Sequence, residues 1–302
     1  MFSFPGPLIV FLGVAGFAAV AAEPAKPIEA APLHNVFKLE GGLYSGDAPD
    51  GDEGFRELQK LGVKTIISVD GSQPNVELAH KFGMRYVHLP FGYDGVPQAR
   101  GLELAKAAQT AAAEGPVYVH CHHGMHRGPA AVAIVCRALD GWSADQADTF
   151  LKQAGTSPDY AGLFRDVKRF QPPTAEQLAR LPANFPEHAR PGPLVDAMVA
   201  IDEYFDALKV AQKAGWREIP GHPDLQPAQA AVLLWEGFRE LGRNPEIQKR
   251  GDNFTAKMAD GEKAADALRK ILGDPSGDTP ARDAALQRMT KTCGACHKAH
   301  RN

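Results

Sequence analysis

A strong excess of either charge is missing: 33 Lys and Arg face 36 Asp and Glu, a formal net charge of −3. That balance gives neither nucleic acid nor an anionic membrane surface an electrostatic reason to bind. Cysteine is scarce, and the four present could form at most two bridges. Residues 1 to 22 hold no Lys or Arg, so the usual positive n-region of an export signal is reduced to the amino terminus. No cysteine stands directly after the apolar run from Pro7 to Ala22, which argues against a lipoprotein. The run is also too short and too rich in small residues to favour a permanent span. Ala19-Val20-Ala21-Ala22 before Glu23-Pro24 resembles a cleavage site, so residues 1–22 read as a signal peptide, with an uncleaved anchor as the alternative. A periplasmic or secreted protein is expected, with no membrane contact beyond that segment.

The mature length suits two domains, each large enough for its own core. Pro172, Pro173, Pro182, Pro186, Pro191 and Pro193 crowd a stretch with few bulky apolar residues, so 172–192 reads as a semi-rigid linker or a wrapped connection. An N-terminal segment, 23–35, precedes a first domain at 36–171. There, β-branched runs at 65–69, 86–89 and 117–120 alternate with helical patterns at 53–61, 74–83, 98–113 and 129–139. The alternation predicts an α/β layer with a central, mostly parallel sheet flanked by helices. In the second domain, 193–302, strand signals are absent. Helical stretches at roughly 194–213, 226–241, 252–272 and 279–300 predict an all-α four-helix bundle.

The bundle ends on Cys293-Gly294-Ala295-Cys296-His297, a Cys-x-x-Cys-His motif. Two thiols three apart share one face of a helix, where they suit thioether bonds to the haem vinyl groups while the adjacent imidazole takes the iron. One covalent haem c is therefore expected; a disulfide or a zinc half-site is the competing reading, for which His300 is the only close extra ligand. Leu286, Met289, Cys293 and Cys296 recur at steps of three and four, which sets the attachment on the core-facing stripe. The tail Cys293 to Arg301 is similar to that of cytochrome c′ and its class II relatives, a resemblance that covers about residues 193–302. It implies covalent attachment at Cys293 and Cys296, a proximal His297, and Arg301 close by. Met198 occupies the stretch from which some relatives supply a second iron ligand. Because Met198 shares a stripe with Leu194, Ile201, Phe205 and Leu208, packing is the simpler role.

A second constellation follows the strand at 117–119: His120-Cys121-His122-His123-Gly124-Met125-His126-Arg127, then Gly128-Pro129 and an apolar helix. A cysteine, five residues and an arginine between a strand and a helix N-terminus form an oxyanion cradle, with backbone N–H groups, the helix dipole and a guanidinium fork converging. The same field favours the thiolate form of Cys121. His122, His123 and His126 raise local positive charge, titrate near neutrality or offer metal ligands, and solvated loop histidines are the simplest reading. Cys136 reads as a buried core thiol.

This segment resembles the His-Cys-x-x-Gly-x-x-Arg signature of the protein tyrosine and dual-specificity phosphatases. Gly42 to Gly46, Gly62 to Val69 and Tyr86 to Phe91 extend the likeness over about residues 36–171. It implies a Cys121 nucleophile, Arg127 holding the phosphate oxygens, and His122, His123, Gly124, Met125 and His126 completing the phosphate loop. Asp94, in Phe91-Gly92-Tyr93-Asp94-Gly95, is implied as general acid, with an ordinary turn aspartate as the competing role, while Asp70 at a strand end is placed to line the site. The family usually has Ser or Thr after the arginine; here it is Gly128, which predicts slow turnover, a trapped intermediate, or binding without efficient hydrolysis.

Together these readings predict an exported phosphatase acting on a phosphorylated protein or small molecule, modulated by haem redox state or a diatomic gas, with a redox partner and a homodimer left open. The alternatives are an electron-transfer cytochrome whose cradle only binds an oxyanion or a partner, and thiol or sulfur redox chemistry at Cys121.

Overall fold

The computed structural model describes residues 25–190, 192–221 and 225–300. The expected signal segment and Arg301 lie outside these residues. Six short strands, β1 (Lys26–Pro27), β2 (Phe37–Lys38), β3 (Leu43–Gly46), β4 (Thr65–Ser68), β5 (Arg85–His88) and β6 (Val117–His120), form one sheet in the order β1-β2-β3-β6-β4-β5. The four strands β3, β6, β4 and β5 are mutually parallel, and β1 and β2 add antiparallel at one edge. The 23–35 segment thus enters the sheet, since Lys26 and Pro27 register against Lys38 and Phe37.

Strand residues alternate between two cores, as a period of two requires. Ile66, Tyr86 and Tyr118 pack with Phe55 and Leu58 under α1 (Gly51–Lys60) and α2 (Val76–Lys81). Ile67, Val87 and Val119 face the other way, onto Leu104, Ile134, Leu151 and Leu163 of α3 (Gln98–Ala112), α4 (Arg127–Leu139), α5 (Ala144–Gln153) and α6 (Ala161–Arg169). Each such side chain contributes about 1.5–3 kcal/mol on burial. Sequence periodicity assigns no element to 144–169. Helix α5 instead begins on a local signal, a capping box in which Ser143 and Gln146 each accept from the other's backbone N–H.

The Pro-rich stretch is a wrapped connection. It holds a short helix, α7 (Ala175–Arg180), with Leu178 buried, and then runs along the open side of β5. His88 N–H donates to the Pro186 carbonyl at 2.8 Å, the Ala189 N–H donates to His88 Nδ1 at 3.0 Å, and Tyr86 N–H donates to the Glu187 carboxylate at 3.3 Å. Backbone groups of an edge strand that would otherwise seek a partner are thereby satisfied.

Beyond it stand α8 (Pro193–Lys213), α9 (Pro227–Arg243), the single turn α10 (Pro245–Gln248), α11 (Asp252–Leu272) and α12 (Thr279–His300). The four long helices match the expected bundle. Its core takes one stripe from each: Phe205 and Leu208, Leu234 and Phe238, Met258 and Leu268, Leu286 and Met289. Among the described residues no helix is long and apolar enough to cross a membrane.

Candidate functional site

Cys121 sits immediately beyond β6, 1% exposed, and Arg127 opens α4 with its guanidinium folded back beneath the same loop. The loop between them is held from outside. His122 carbonyl accepts from Ala48 N–H at 3.2 Å, Gly124 carbonyl from Asn35 Nδ2 at 2.9 Å, and Met125 carbonyl from the Thr156 hydroxyl at 2.7 Å. In a trans peptide the N–H points opposite the C=O, so anchoring these carbonyls turns the N–H groups of His123, Met125 and His126 to the other side. The result is an anion-binding concavity rather than a generic turn. Gly124 is obligatory to it: its φ is +65°, and a Cβ there would collide with the Gly46–Asp47 peptide. Gly128 lies in the first turn of α4 with no left-handed φ, and a Cβ would come 3.2 Å from Cys121 N and 3.6 Å from Cys121 Sγ.

Asp70 and Tyr93 position the arginine. Arg127 donates to Asp70 Oδ2 at 3.0 Å and to the Tyr93 hydroxyl at 3.0 Å, with its guanidinium 4.2 Å from the Tyr93 ring centroid. Asp70 Oδ2 also accepts from His122 N–H at 2.5 Å, and Oδ1 accepts from Ser72 N–H at 3.0 Å. Burial opposes ionisation of Asp70, but the Arg127 charge, the Ser72 N–H and His122 outweigh it and hold the carboxyl well below the usual carboxylate range. Burial likewise opposes the Arg127 charge, and Tyr93 and Asp70 outweigh that, so the guanidinium stays charged at every accessible pH. His120, ring-packed against Tyr86 and Tyr118, is pushed down to about 4 by burial.

Asp94 occupies the expected loop and is exposed, its carboxylate curled back against Gly92 while its carbonyl accepts from Arg165 at 2.9 Å. Among the described residues no hydrogen bond or ion pair joins that carboxylate to Cys121 or Arg127; its neighbour Tyr93 makes the contact instead. The structure therefore brings Cys121, Arg127 and the loop together with Asp70, and leaves Asp94 at the rim. Tyr93, Asn35 and Thr156 escape sequence reasoning because their roles depend on distant partners; the φ of 52° at Asn35 has no sequence signature beyond the residue type.

In the bundle, Cys293 and Cys296 lie three apart on α12, both partly buried, with His297 beside them. Cys293 and Met198 both pack, partly exposed, against the bundle core, while Leu208 and Met289 on the same two helices are fully covered. Burial pushes the Cys293 thiol up to about 11 and raises that of Cys296. Two thiols, an imidazole and a partly open apolar wall fit a planar apolar group attached through sulfur. Cys136 is buried in α4, as expected.

The two halves meet at the cradle. A Cβ on Gly71 would collide with Val195 of α8, and would come 3.5 Å from Val199. Asp206, two turns further along α8, places Oδ2 at 3.5 Å from His122 Nε2 and 3.9 Å from His123 Nε2. His126 is elsewhere, its ring 4.7 Å from that of Tyr160.

The sequence model of the family described as Cytochrome C' matches residues 231–301. Dual specificity protein phosphatase TpbA of Pseudomonas aeruginosa (strain UCBPP-PA14) is 31% identical over 141 residues, covering 46% of this chain and 64% of the relative. TpbA of the PAO1 strain is 28% identical over 137 residues, covering 45% and 62%. The chain thus spans less than two thirds of the length of the curated relatives it matches. Among solved structures, a crystal structure of P. aeruginosa TpbA aligns with a TM-score of 0.44 at 25% identity, over 49% of this chain and 90% of that one. A TpbA variant in complex with pTyr aligns with a TM-score of 0.42 at 24% identity, over 48% and 86%. The N-terminal half is similar to dual specificity phosphatase TpbA, and the match to the Cytochrome C' family model, which points to a haem cofactor, falls on the C-terminal helices.

Proposed function

We propose that this chain is an exported cysteine-dependent phosphatase joined to a c-type haem domain that senses redox state or a diatomic gas. The observation that carries the first part is the anchored cradle: a buried thiol beneath inward N–H groups, with an arginine fixed by Asp70 and Tyr93. In the reaction, Cys121 Sγ attacks phosphorus of a phosphate monoester. The ester P–O bond breaks, its electron pair goes to the leaving oxygen, and Asp94 supplies that oxygen with a proton. Arg127 and the loop N–H groups hold the three non-bridging oxygens as charge builds on them. Water then attacks the phosphocysteine, releasing phosphate and restoring the thiolate. Asp94 stands at the rim of the site, so its loop moves inward with substrate to serve, as catalytic contacts commonly tighten on binding.

Haem would be held by thioethers to Cys293 and Cys296 with His297 on the iron, and when bound it supplies one-electron and gas-binding chemistry. Contact of α8 with Gly71, His122 and His123 is the observation that favours coupling between the halves. The test is hydrolysis of an aryl phosphate by haem-loaded protein, oxidised, reduced and under CO. Activity abolished in Cys121→Ser and altered by haem state supports the whole reading. Activity surviving Cys121→Ser refutes the chemistry, and activity indifferent to haem state refutes the coupling.

A further inference from the structure

His122 and His123 are neighbours in the loop, yet both side chains turn toward the bundle, their ring centroids 4.3 Å apart at 70°. Asp206 of α8 meets them there. Its separations of 3.5 and 3.9 Å from the two Nε2 atoms exceed a good hydrogen bond, which lies at about 2.7–3.2 Å. They approach the spacing of about 3.3 Å between neighbouring donors around a tetrahedral ion with bonds of ~2.0–2.1 Å. All three donor atoms fall within 4.8 Å of one another, and no other such trio occurs among the described residues.

We propose that His122, His123 and Asp206 form a site for a divalent transition-metal ion of the zinc class, one that ties the haem bundle to the phosphatase cradle. Two imidazoles and one carboxylate are the donor set such ions favour, whereas magnesium and calcium call for oxygen alone. Asp206 is already oriented for the task, because its other oxygen accepts from Lys209 Nζ at 2.6 Å and leaves Oδ2 facing the histidines. Asp202, one turn earlier on α8, adds negative potential at both rings. The side chains keep 38, 54 and 29% of their exposure, which leaves room for water to complete the coordination.

The consequence follows from where the ligands sit. His122 and His123 belong to the loop whose His123, Met125 and His126 N–H groups line the anion-binding concavity, so an ion bridging the two histidines to α8 pins that loop and narrows its mouth. The inhibition this predicts rests on the proposed phosphatase reading, but metal binding does not. Haem-loaded, chelator-treated full chain is titrated with zinc chloride by calorimetry, and the loaded sample is read by zinc-edge X-ray absorption. Expected are one zinc per chain with nitrogen and oxygen neighbours only, affinity at least tenfold weaker in Asp206→Ala and in His123→Ala, and zinc inhibition of aryl phosphate hydrolysis lost in Asp206→Ala. Circular dichroism and the haem spectrum of Asp206→Ala verify that the bundle is intact. Sulfur at about 2.3 Å from zinc would place the ion on Cys121 and overturn the proposal, as would unchanged affinity in Asp206→Ala. A wild type with no phosphatase activity removes the function proposed above, while the binding measurement still decides the site.

Discussion

Replacing Asp70 with alanine should unfold the phosphatase-like half at markedly lower temperature. Side-chain exposures of 9% for Arg127 and 6% for Asp70 make this a buried pair, and the carboxylate also accepts from the N–H groups of His122 and Ser72. Removing one member of such a pair leaves a desolvated charge and typically costs about 3–5 kcal/mol, a large part of a domain stability of ~5–15 kcal/mol. At roughly 2–4 °C per kcal/mol for a unit of this size, the melting temperature should fall by on the order of 10 °C. Asp70→Asn, which keeps an acceptor oxygen, should lose less. The native carboxyl titrates below its unfolded value, so its contribution is complete above about pH 3.9 and disappears as pH falls through the native value; the penalty of Asp70→Ala should therefore shrink in strong acid. Thermal unfolding followed by circular dichroism measures both, and a double-mutant cycle with Arg127→Met isolates the pair. The two substitutions should interact by at least ~1.5 kcal/mol; additivity within about 0.5 kcal/mol would refute the idea that Asp70 acts through Arg127.

Gly128→Ser should be tolerated, since this position needs no positive φ and the added Cβ asks Cys121 N to give by only a few tenths of an ångström. The hydroxyl then stands beside Sγ, and a charge-assisted hydrogen bond of about 1.5–3 kcal/mol should speed breakdown of the phosphocysteine some 10- to 100-fold. Wild type should show a burst with an activated substrate that the variant loses; no burst and no gain would show that formation of the intermediate limits turnover. Burial holds His120 neutral down to about pH 4, so the unfolded chain binds its proton first and stability should decline between about pH 6.5 and 4, by up to ~3 kcal/mol. A pH series of denaturant melts in His120→Phe should lack that decline. Met198 packs against the bundle core at a partly exposed position, so Met198→Ala should leave a five-coordinate ferrous spectrum and CO binding unchanged; loss of a methionine–iron charge-transfer band would assign it to the metal instead.

Much of the fold was legible because its signals are local. The runs Thr65–Ser68 and Val117–His120 read as buried strands from β-branched content alone, and the four long bundle helices lie within a residue or two of their apolar stripes. The cradle was legible for the same reason: Cys121, Gly124 and Arg127 stand in one short segment whose strand and helix context is itself sequential. Helices α5 and α6 carry short apolar stripes, Ala147, Phe150 and Leu151 in one and Leu163 and Val167 in the other, whose burial against α4 only the tertiary packing reveals. The Pro-rich stretch divides two compositions, but its role as a cover for β5 appears only when Pro186, Glu187 and Ala189 meet Tyr86 and His88 about a hundred residues earlier.

By itself the sequence determined which atoms are available for chemistry: the thiols of Cys121, Cys293 and Cys296, the imidazole of His297 and the guanidinium of Arg127, each in a local geometry set by helix and strand periods. Tertiary structure alone decided what surrounds them. Asp70 reaches Arg127 across 57 positions, Asn35 reaches Gly124 across 89, and Asp206 meets His122 from another domain. Such contacts depend on how β4, β6 and α8 pack, and packing is settled by the burial of the whole core, which no short stretch of sequence contains.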